Sequence, residues 1–398
     1  MSLQRALCLM LSLMLSSILV FSLSLSAASA QDDSEAKVDP QAPAAAGGEA
    51  TARFQKLNDD WKTILKDLRK LKLAYESAKP DEVKELEQQW QELIAKGNDL
   101  LPQLRASGIE AYSEGSAVDP QLQRFLIKVA QDAQETDDYE SAYDISTTIL
   151  KRSEADKAPA PKELFSIAGV AAFMTNDFEA AEKYIEQAKQ AGTWNDAEVN
   201  KIGIPIAASL AKYKDWWAKE ADIRKQEAEQ DDLPRVKLST TAGDMLIELF
   251  ENEAPDTVGN IVSLVEAKFY DGLTFHRVLP HFMAQGGDPK GTGQGDPGYK
   301  IYDEVDNPNH RRHFRGSLSM AKGNFPDSGG SQFFICFTPR ENLDGLHTVF
   351  GRVIEGMDVL SKIQRVDPEK MSSVEKTKIV TAVVVRKRDH NYLPRKVE

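Results

Sequence analysis

The sequence predicts a multidomain chain in which an all-α region is followed by an all-β antiparallel barrel. Three observations carry this. In the first half, apolar residues recur at alternating spacings of three and four, the period of one helix face. From about residue 236 the pattern changes to short apolar runs separated by Gly- and Pro-rich loops, as in small closed barrels. Composition changes at the same place. The 398 residues carry a formal net charge of −13, yet residues 234–398 hold equal numbers of basic and acidic side chains, 16 of the 24 glycines and all six histidines. The acidic excess therefore belongs to the helical part, where it argues against a nucleic-acid partner. With 41% hydrophobic residues, the chain is neither collagen-like nor disordered.

The first 30 residues read as a signal peptide, with Arg5 in a short basic start, an apolar stretch from Ala6 to Leu25 and Ala28-Ser29-Ala30 as a cleavage site. Serines dilute the apolar stretch, so cleavage and export are expected, with the periplasm as destination. Full secretion, or membrane anchoring by an uncleaved segment, are the alternatives. Cys8 would leave with the signal. Cys336 then stands alone among Phe333, Phe334, Ile335 and Phe337, which predicts a buried free thiol.

Residues 31–50, rich in Ala, Pro and acids, read as a flexible linker. Phe54, Leu57, Trp61, Ile64, Leu68, Leu71 and Tyr75 then form one helical seam, and Val83, Leu86, Trp90, Leu93, Gly97, Leu100 and Leu104 form a second. Lys79-Pro80-Asp81-Glu82 lies between them, with a proline and acids suited to a helix start. A helical hairpin over 51–117 is expected, with Trp61 and Trp90 in its core.

From Pro120 a weak repeat begins: Asp138-Tyr139-Glu140-Ser141-Ala142, then Asp177-Phe178-Glu179-Ala180-Ala181, then Asp215-Trp216-Trp217-Ala218. The middle copy, with Gly169, Ala172, Phe173, Ala181 and Ile185, resembles the tetratricopeptide repeat. Residues 118–232 are therefore read as a tetratricopeptide-like region, either a groove for a protein partner or a helical spacer.

Val236–Thr240, Ala242-Gly243 and Asp244–Phe250 read as strand, turn and strand, and Pro255–Ala267 carries a helical period. Gly316–Met320, Gln332–Phe337, Val349–Val353 and Ile379–Val385 supply further short strands. The segment Phe275-His276-Arg277-Val278-Leu279-Pro280-His281-Phe282-Met283-Ala284-Gln285-Gly286-Gly287-Asp288 resembles the signature of the cyclophilin family of peptidyl-prolyl cis/trans isomerases. Gly330–Ile335 and Leu343–Gly351 match the same family in the same order. The resemblance covers roughly Arg235 to Arg386 and implies an eight-stranded antiparallel barrel with two capping helices, over 233–388, followed by a tail over 389–398. The activity it implies is peptidyl-prolyl cis-trans isomerisation, which assists the folding of exported, proline-containing polypeptides.

That chemistry needs neither metal nor cofactor. Rotation about an Xaa-Pro bond meets a barrier of about 20 kcal/mol from amide resonance, and no covalent bond breaks. The requirements are an apolar slot that holds the proline ring and a donor that favours the twisted amide, whose nitrogen regains a localised lone pair. By resemblance Arg277 is that donor, Phe282, Met283, Phe334 and Leu343 line the slot, Gln285 bonds a substrate backbone group, Ala321 borders it and His347 forms part of its wall.

Two departures from the family pattern are present. Asn342 stands where many members have Trp, which implies weak cyclosporin sensitivity. Ala321-Lys322-Gly323-Asn324 replaces Ala-Asn-Ala, with one extra residue before Gly330. These departures motivate the alternative of a proline-segment binder or chaperone scaffold with little catalysis. Other constellations have simpler explanations. Gly291–Gly295 is a loop flanked by Pro289 and Pro297, without the strand-to-helix context of a nucleotide site. His310 and His313, among Arg311, Arg312 and Arg315, read as a solvated basic loop and not a metal site. Ser331 with His347 lacks a nucleophile elbow.

Overall fold

The computed structural model describes residues 48–115, 119–194, 197–370 and 374–397. The export segment and most of the linker read from the sequence lie outside them. The described residues fold into two compact units, one of those up to Asp132 with Ala142–Leu164, the other of Ala133–Ser141 with Phe165 onward.

In the first unit, α1 (Glu49–Glu76) and α2 (Val83–Glu114) bury the expected seams, including Phe54, Trp61, Leu68, Trp90 and Leu104. Arg53 near the start of α1 pairs with Glu110 near the end of α2, which makes the hairpin antiparallel. Parts of α3 (Pro120–Glu135) and α4 (Tyr139–Ala155) complete this unit. The Phe54 and Phe125 rings lie 5.3 Å apart.

The second unit begins with the turn between α3 and α4. It continues through α5 (Glu163–Met174), α6 (Phe178–Ala191) and α7 (Ala197–Gln230) into the sheet. Asp177 caps α6 by accepting the Ala180 N–H at 3.1 Å. Gly169 lets α5 and α6 approach closely, because a Cβ there would lie 3.0 Å from the Ile185 side chain and 3.1 Å from its backbone nitrogen. Phe173, Phe178 and Tyr213 then gather into an aromatic cluster.

The β strands are β1 (Arg235–Thr240), β2 (Gly243–Leu249), β3 (Arg277–Leu279), β4 (Met283–Gly286), β5 (Ser317–Met320), β6 (Phe333–Cys336), β7 (Val349–Glu355) and β8 (Ile379–Arg386). They form an eight-stranded antiparallel sheet in the order β3-β4-β6-β5-β7-β2-β1-β8. The sheet curls, so the approaches to its two edge strands meet: Phe275 N–H donates to Thr377 at 3.0 Å, and Ile379 N–H to Leu273 at 2.8 Å. Val236, Leu238, Ile247, Phe275, Ile335 and Phe350 fill the interior. Of the two expected capping helices, α8 (Pro255–Glu266) has proline in its first turn, and the Glu304 carboxylate accepts the Asp256 and Thr257 N–H groups. The second, α9 (Val359–Lys362), is a single turn.

One sequence expectation is overturned. The segment holding His310 to Arg315 is not a solvated basic loop, since Arg311, His313 and Arg315 are buried. Acids from the helical segments of the same unit neutralise it. Arg311 donates to Glu220 and Glu227, and Arg315 donates to Glu140 at 2.7 Å. Desolvated guanidinium groups persist only where carboxylates meet them. These partners lie 84 to 175 residues away in the chain, beyond any local pattern.

Candidate active site

Strand alternation sorts β3, β4 and β6 into two faces. Val278, Ala284, Phe333 and Ile335 enter the barrel core. The residues between them, Arg277, Met283, Gln285, Phe334 and Cys336, occupy the opposite face. Register places Arg277 beside Gln285, Gln285 beside Phe334, and Phe334 beside Ser319, so one row crosses four strands. A second row pairs Leu279 with Met283 and Met283 with Cys336.

Met283, Ala321, Phe334 and Cys336 form an apolar cluster separate from the barrel core, with Phe282 and Leu343 packed against it. The apolar residues read from the sequence as a proline slot thus converge on one patch. Arg277 borders this patch, with its guanidinium carbon 5.6 Å from the Phe282 ring centre. Gln285 donates to Gln332 Oε1 at 2.9 Å. Gln332 in turn donates to the carbonyls of Gly293 and Gly295. A cleft of about 250 Å³ opens beside the patch, lined by Gln285, Ala321, Lys322 and Gln332 among others. Lys322 is tied to Asp303 at 2.5 Å, and Asn342 is exposed.

His347 stands edge-on to Phe334, with ring centres 5.5 Å apart, and its Nδ1 is 3.0 Å from the Met320 carbonyl. Burial holds its pKa below the ordinary histidine value, so the ring is neutral at pH 7. A neutral imidazole fixed to a carbonyl suits a wall.

Several residues of the site escaped the sequence reading. His313 stacks on Phe334, with ring centres 5.9 Å apart and planes 6° apart. Its Nδ1 lies 2.8 Å from Asp344 and its Nε2 2.9 Å from Ser319 Oγ. Burial pushes the Asp344 carboxyl up, but hydrogen bonds from His313 outweigh it and the pKa lies below the ordinary value. This Ser-His-Asp chain is not hydrolytic, because Ser319 is fully buried and donates to the Thr348 carbonyl at 3.1 Å. Ser331 is equally committed, donating to Gly287 at 2.7 Å. Cys336 was legible in principle, since it stands two residues after Phe334 and so shares its strand face.

The Gly291–Gly295 loop is built around an anion of its own. The Asp288 carboxylate accepts the N–H groups of Lys290, Thr292 and Gly293 at 2.7, 2.9 and 2.5 Å. A Cβ on Gly295 would lie 1.9 Å from Asp288 Oδ1, so glycine is required there. Burial raises the Asp288 pKa, and these backbone donors more than reverse that. The loop's donors are spent internally, which leaves no phosphate cradle. Among the described residues, no group of three or more His, Cys, Asp or Glu side chains is arranged to hold a metal ion.

Residues 235–385 match the family model described as cyclophilin type peptidyl-prolyl cis-trans isomerase/CLD. A peptidyl-prolyl cis-trans isomerase of Helicobacter pylori is 47% identical over 151 residues, which are 36% of this chain and 91% of that protein. One from Synechococcus elongatus is 55% identical over 116 residues, 29% of this chain and 77% of that protein. A crystal structure of a cyclophilin-type isomerase from Cryptosporidium parvum, in the presence of the dipeptide Ala-Pro, shares 31% identity. It covers 38% of this chain and 98% of its own, with a TM-score of 0.35.

Proposed function

The chain belongs to the cyclophilin family of peptidyl-prolyl cis-trans isomerases, and on that premise we propose that Arg277 and the Phe282–Leu343 patch catalyse Xaa-Pro rotation in proteins folding outside the cytoplasm. The observation that carries this reading is the convergence of Phe282, Met283, Ala321, Phe334 and Leu343 on one apolar patch bordered by Arg277. The patch grips the proline ring while the preceding carbonyl rotates. As resonance is lost, the prolyl nitrogen regains its lone pair, and the Arg277 guanidinium donates to it. This interaction is absent in the planar ground state and so lowers the barrier without tightening ground-state binding. Gln285 bonds the substrate backbone, and neutral His347 closes the wall.

Export of the chain to the periplasm rests on the basic start, apolar stretch and Ala-Ser-Ala site of residues 1–30. In this reading the helical region also recruits clients. The test is an isomerisation assay of the intact chain on an Xaa-Pro peptide. Acceleration above the uncatalysed rate supports catalysis. Tight peptide binding with no acceleration supports a proline-segment binder instead, the reading that exposed Asn342 and the Lys322–Asp303 pair favour. Fractionation of cells producing the protein tests its location, and retention in the cytoplasm would sink the export reading.

A further inference from the structure

His281 directly precedes Phe282 and takes a left-handed backbone, φ 57. That conformation is uncommon for a residue with a Cβ. The group that holds it here is Asp137, in the turn between α3 and α4. Its side chain is fully buried, and Oδ1 accepts the His281 backbone N–H at 2.9 Å and lies 3.0 Å from His281 Nδ1. Oδ2 accepts from Arg365 at 2.6 Å, which neutralises the carboxylate. The Tyr139 hydroxyl closes the group, 2.9 Å from His281 Nδ1. On its other side, the His281 carbonyl accepts from Thr338 and Arg340, and the Arg340 guanidinium lies 4.8 Å from the Phe282 ring centre. The backbone N–H, the carbonyl and Nδ1 of His281 are thus all held, and the next side chain is a slot wall.

A second wall is also tied to a helical segment. Leu343 lies in the short 3₁₀ turn Glu341–Leu343. The Glu341 N–H donates to the hydroxyl of Tyr213, on α7, at 3.0 Å, and Lys212 pairs with the Glu341 carboxylate at 2.9 Å. Tyr213 is itself immobilised by Phe173, Phe178 and Phe314.

We propose that Asp137 and Tyr213 are positioning residues for the isomerase reaction, each fixing one wall of the proline slot from a helical segment outside the barrel. This rests on the isomerase reading above. The turn before α4 and helix α7 are therefore parts of the catalytic apparatus. A wall that shifts by an ångström loosens the grip on proline in ground and transition states alike, so its signature is a raised KM with kcat preserved.

The experiment uses the intact chain and measures kcat and KM on an Xaa-Pro peptide well below the melting temperature, with Tm recorded for each variant. Tyr213→Phe keeps the ring and removes only the acceptor, and Asp137→Ala removes the His281 tether. Each is expected to raise KM roughly tenfold with kcat within about twofold. Asp137→Asn keeps an acceptor oxygen for the His281 N–H and should recover most of the loss. Glu179→Gln, at an exposed pair with Lys214, should change nothing. A lowered Tm with wild-type KM in both Tyr213→Phe and Asp137→Ala would overturn the positioning role while leaving the isomerase intact. If Asp137→Ala does not fold, Tyr213→Phe alone decides. An inactive wild-type chain would overturn the isomerase reading and the positioning role with it.

Discussion

Arg311 grips Glu220 with two parallel hydrogen bonds, Nε to Oε2 at 2.9 Å and Nη2 to Oε1 at 2.7 Å, and both side chains are buried. Burial opposes ionisation of Glu220, yet the pairing with Arg311 wins and holds its carboxyl below the ordinary range. Removing the Glu220 charge leaves buried Arg311 with Glu227 as its hydrogen-bonded carboxylate partner. Glu220→Gln should therefore cost about 1.5–3 kcal/mol of unfolding free energy, the weakening of charge-assisted hydrogen bonds rather than a stranded charge, read from denaturant titration of the intact chain. A loss below about 1 kcal/mol would mean that water reaches the pair.

The role proposed for Arg277 should show a different signature. Arg277→Ala and Arg277→Lys are each expected to lower kcat about a hundredfold, since a lysine cannot present the planar donor fork. KM should move little. Activity within about threefold of wild type in the alanine variant would remove Arg277 from the mechanism.

Asn342 occupies an exposed position in the 3₁₀ turn beside Leu343. Without an indole at this position, inhibition by cyclosporin should be weak. Asn342→Trp should strengthen it about tenfold, as an added aromatic contact does at a binding surface, in an inhibition titration. Equal inhibition of both chains would show that the drug does not use this wall.

Burial pushes the Cys336 thiol up to about 12. At pH 8 almost no thiolate exists, and the sulfur has no route to solvent. A thiol-reactive dye should leave the native chain unlabelled at Cys336 and modify it fully in denaturant. Rapid native labelling would contradict the packing beneath Met283 and Phe334.

Stability should fall with acid in two windows. Burial holds the His276 and His347 pKa values below the ordinary value, so the unfolded chain binds more protons as pH falls below about 6.5, and stability declines there. Asp137, Glu220 and Asp344 also have lowered pKa values, each because hydrogen-bonded partners outweigh burial. Their contribution is complete above the unfolded carboxyl values near 4 and is lost as pH falls through the folded ones. Glu253 and Glu304, raised by burial, act in the opposite sense. Denaturant midpoints measured from pH 7 to pH 3 should show both declines. A flat profile would contradict these assignments.

The helical seams of α1 and α2 were readable because a helix buries one stripe of its own residues, and Trp61 and Trp90 announce that stripe by spacing alone. The residues proposed for the slot were read through a family resemblance carried by contiguous motifs. Arg277, Phe282, Met283 and Gln285 fall within a few positions of one another, and Phe334 stands in a second short block. His313 was not readable, because what makes it part of the site is a ring stacked on Phe334 from a loop 21 residues away in sequence.

The sequence by itself determined that a helical region precedes an antiparallel β region, since periodicity is local, and it indicated the eight-stranded sheet and the enzyme class through a family resemblance carried by contiguous motifs. Only the tertiary structure decided the fate of the charges. The His310–Arg315 segment looked like a solvated basic loop. Glu220 and Glu227 instead meet Arg311 in a buried cluster, half-exposed Glu140 meets buried Arg315, and Asp137 meets His281 beside the apolar patch. Complementary charges attract across any sequence separation, so nothing local in the chain records which pairs will meet.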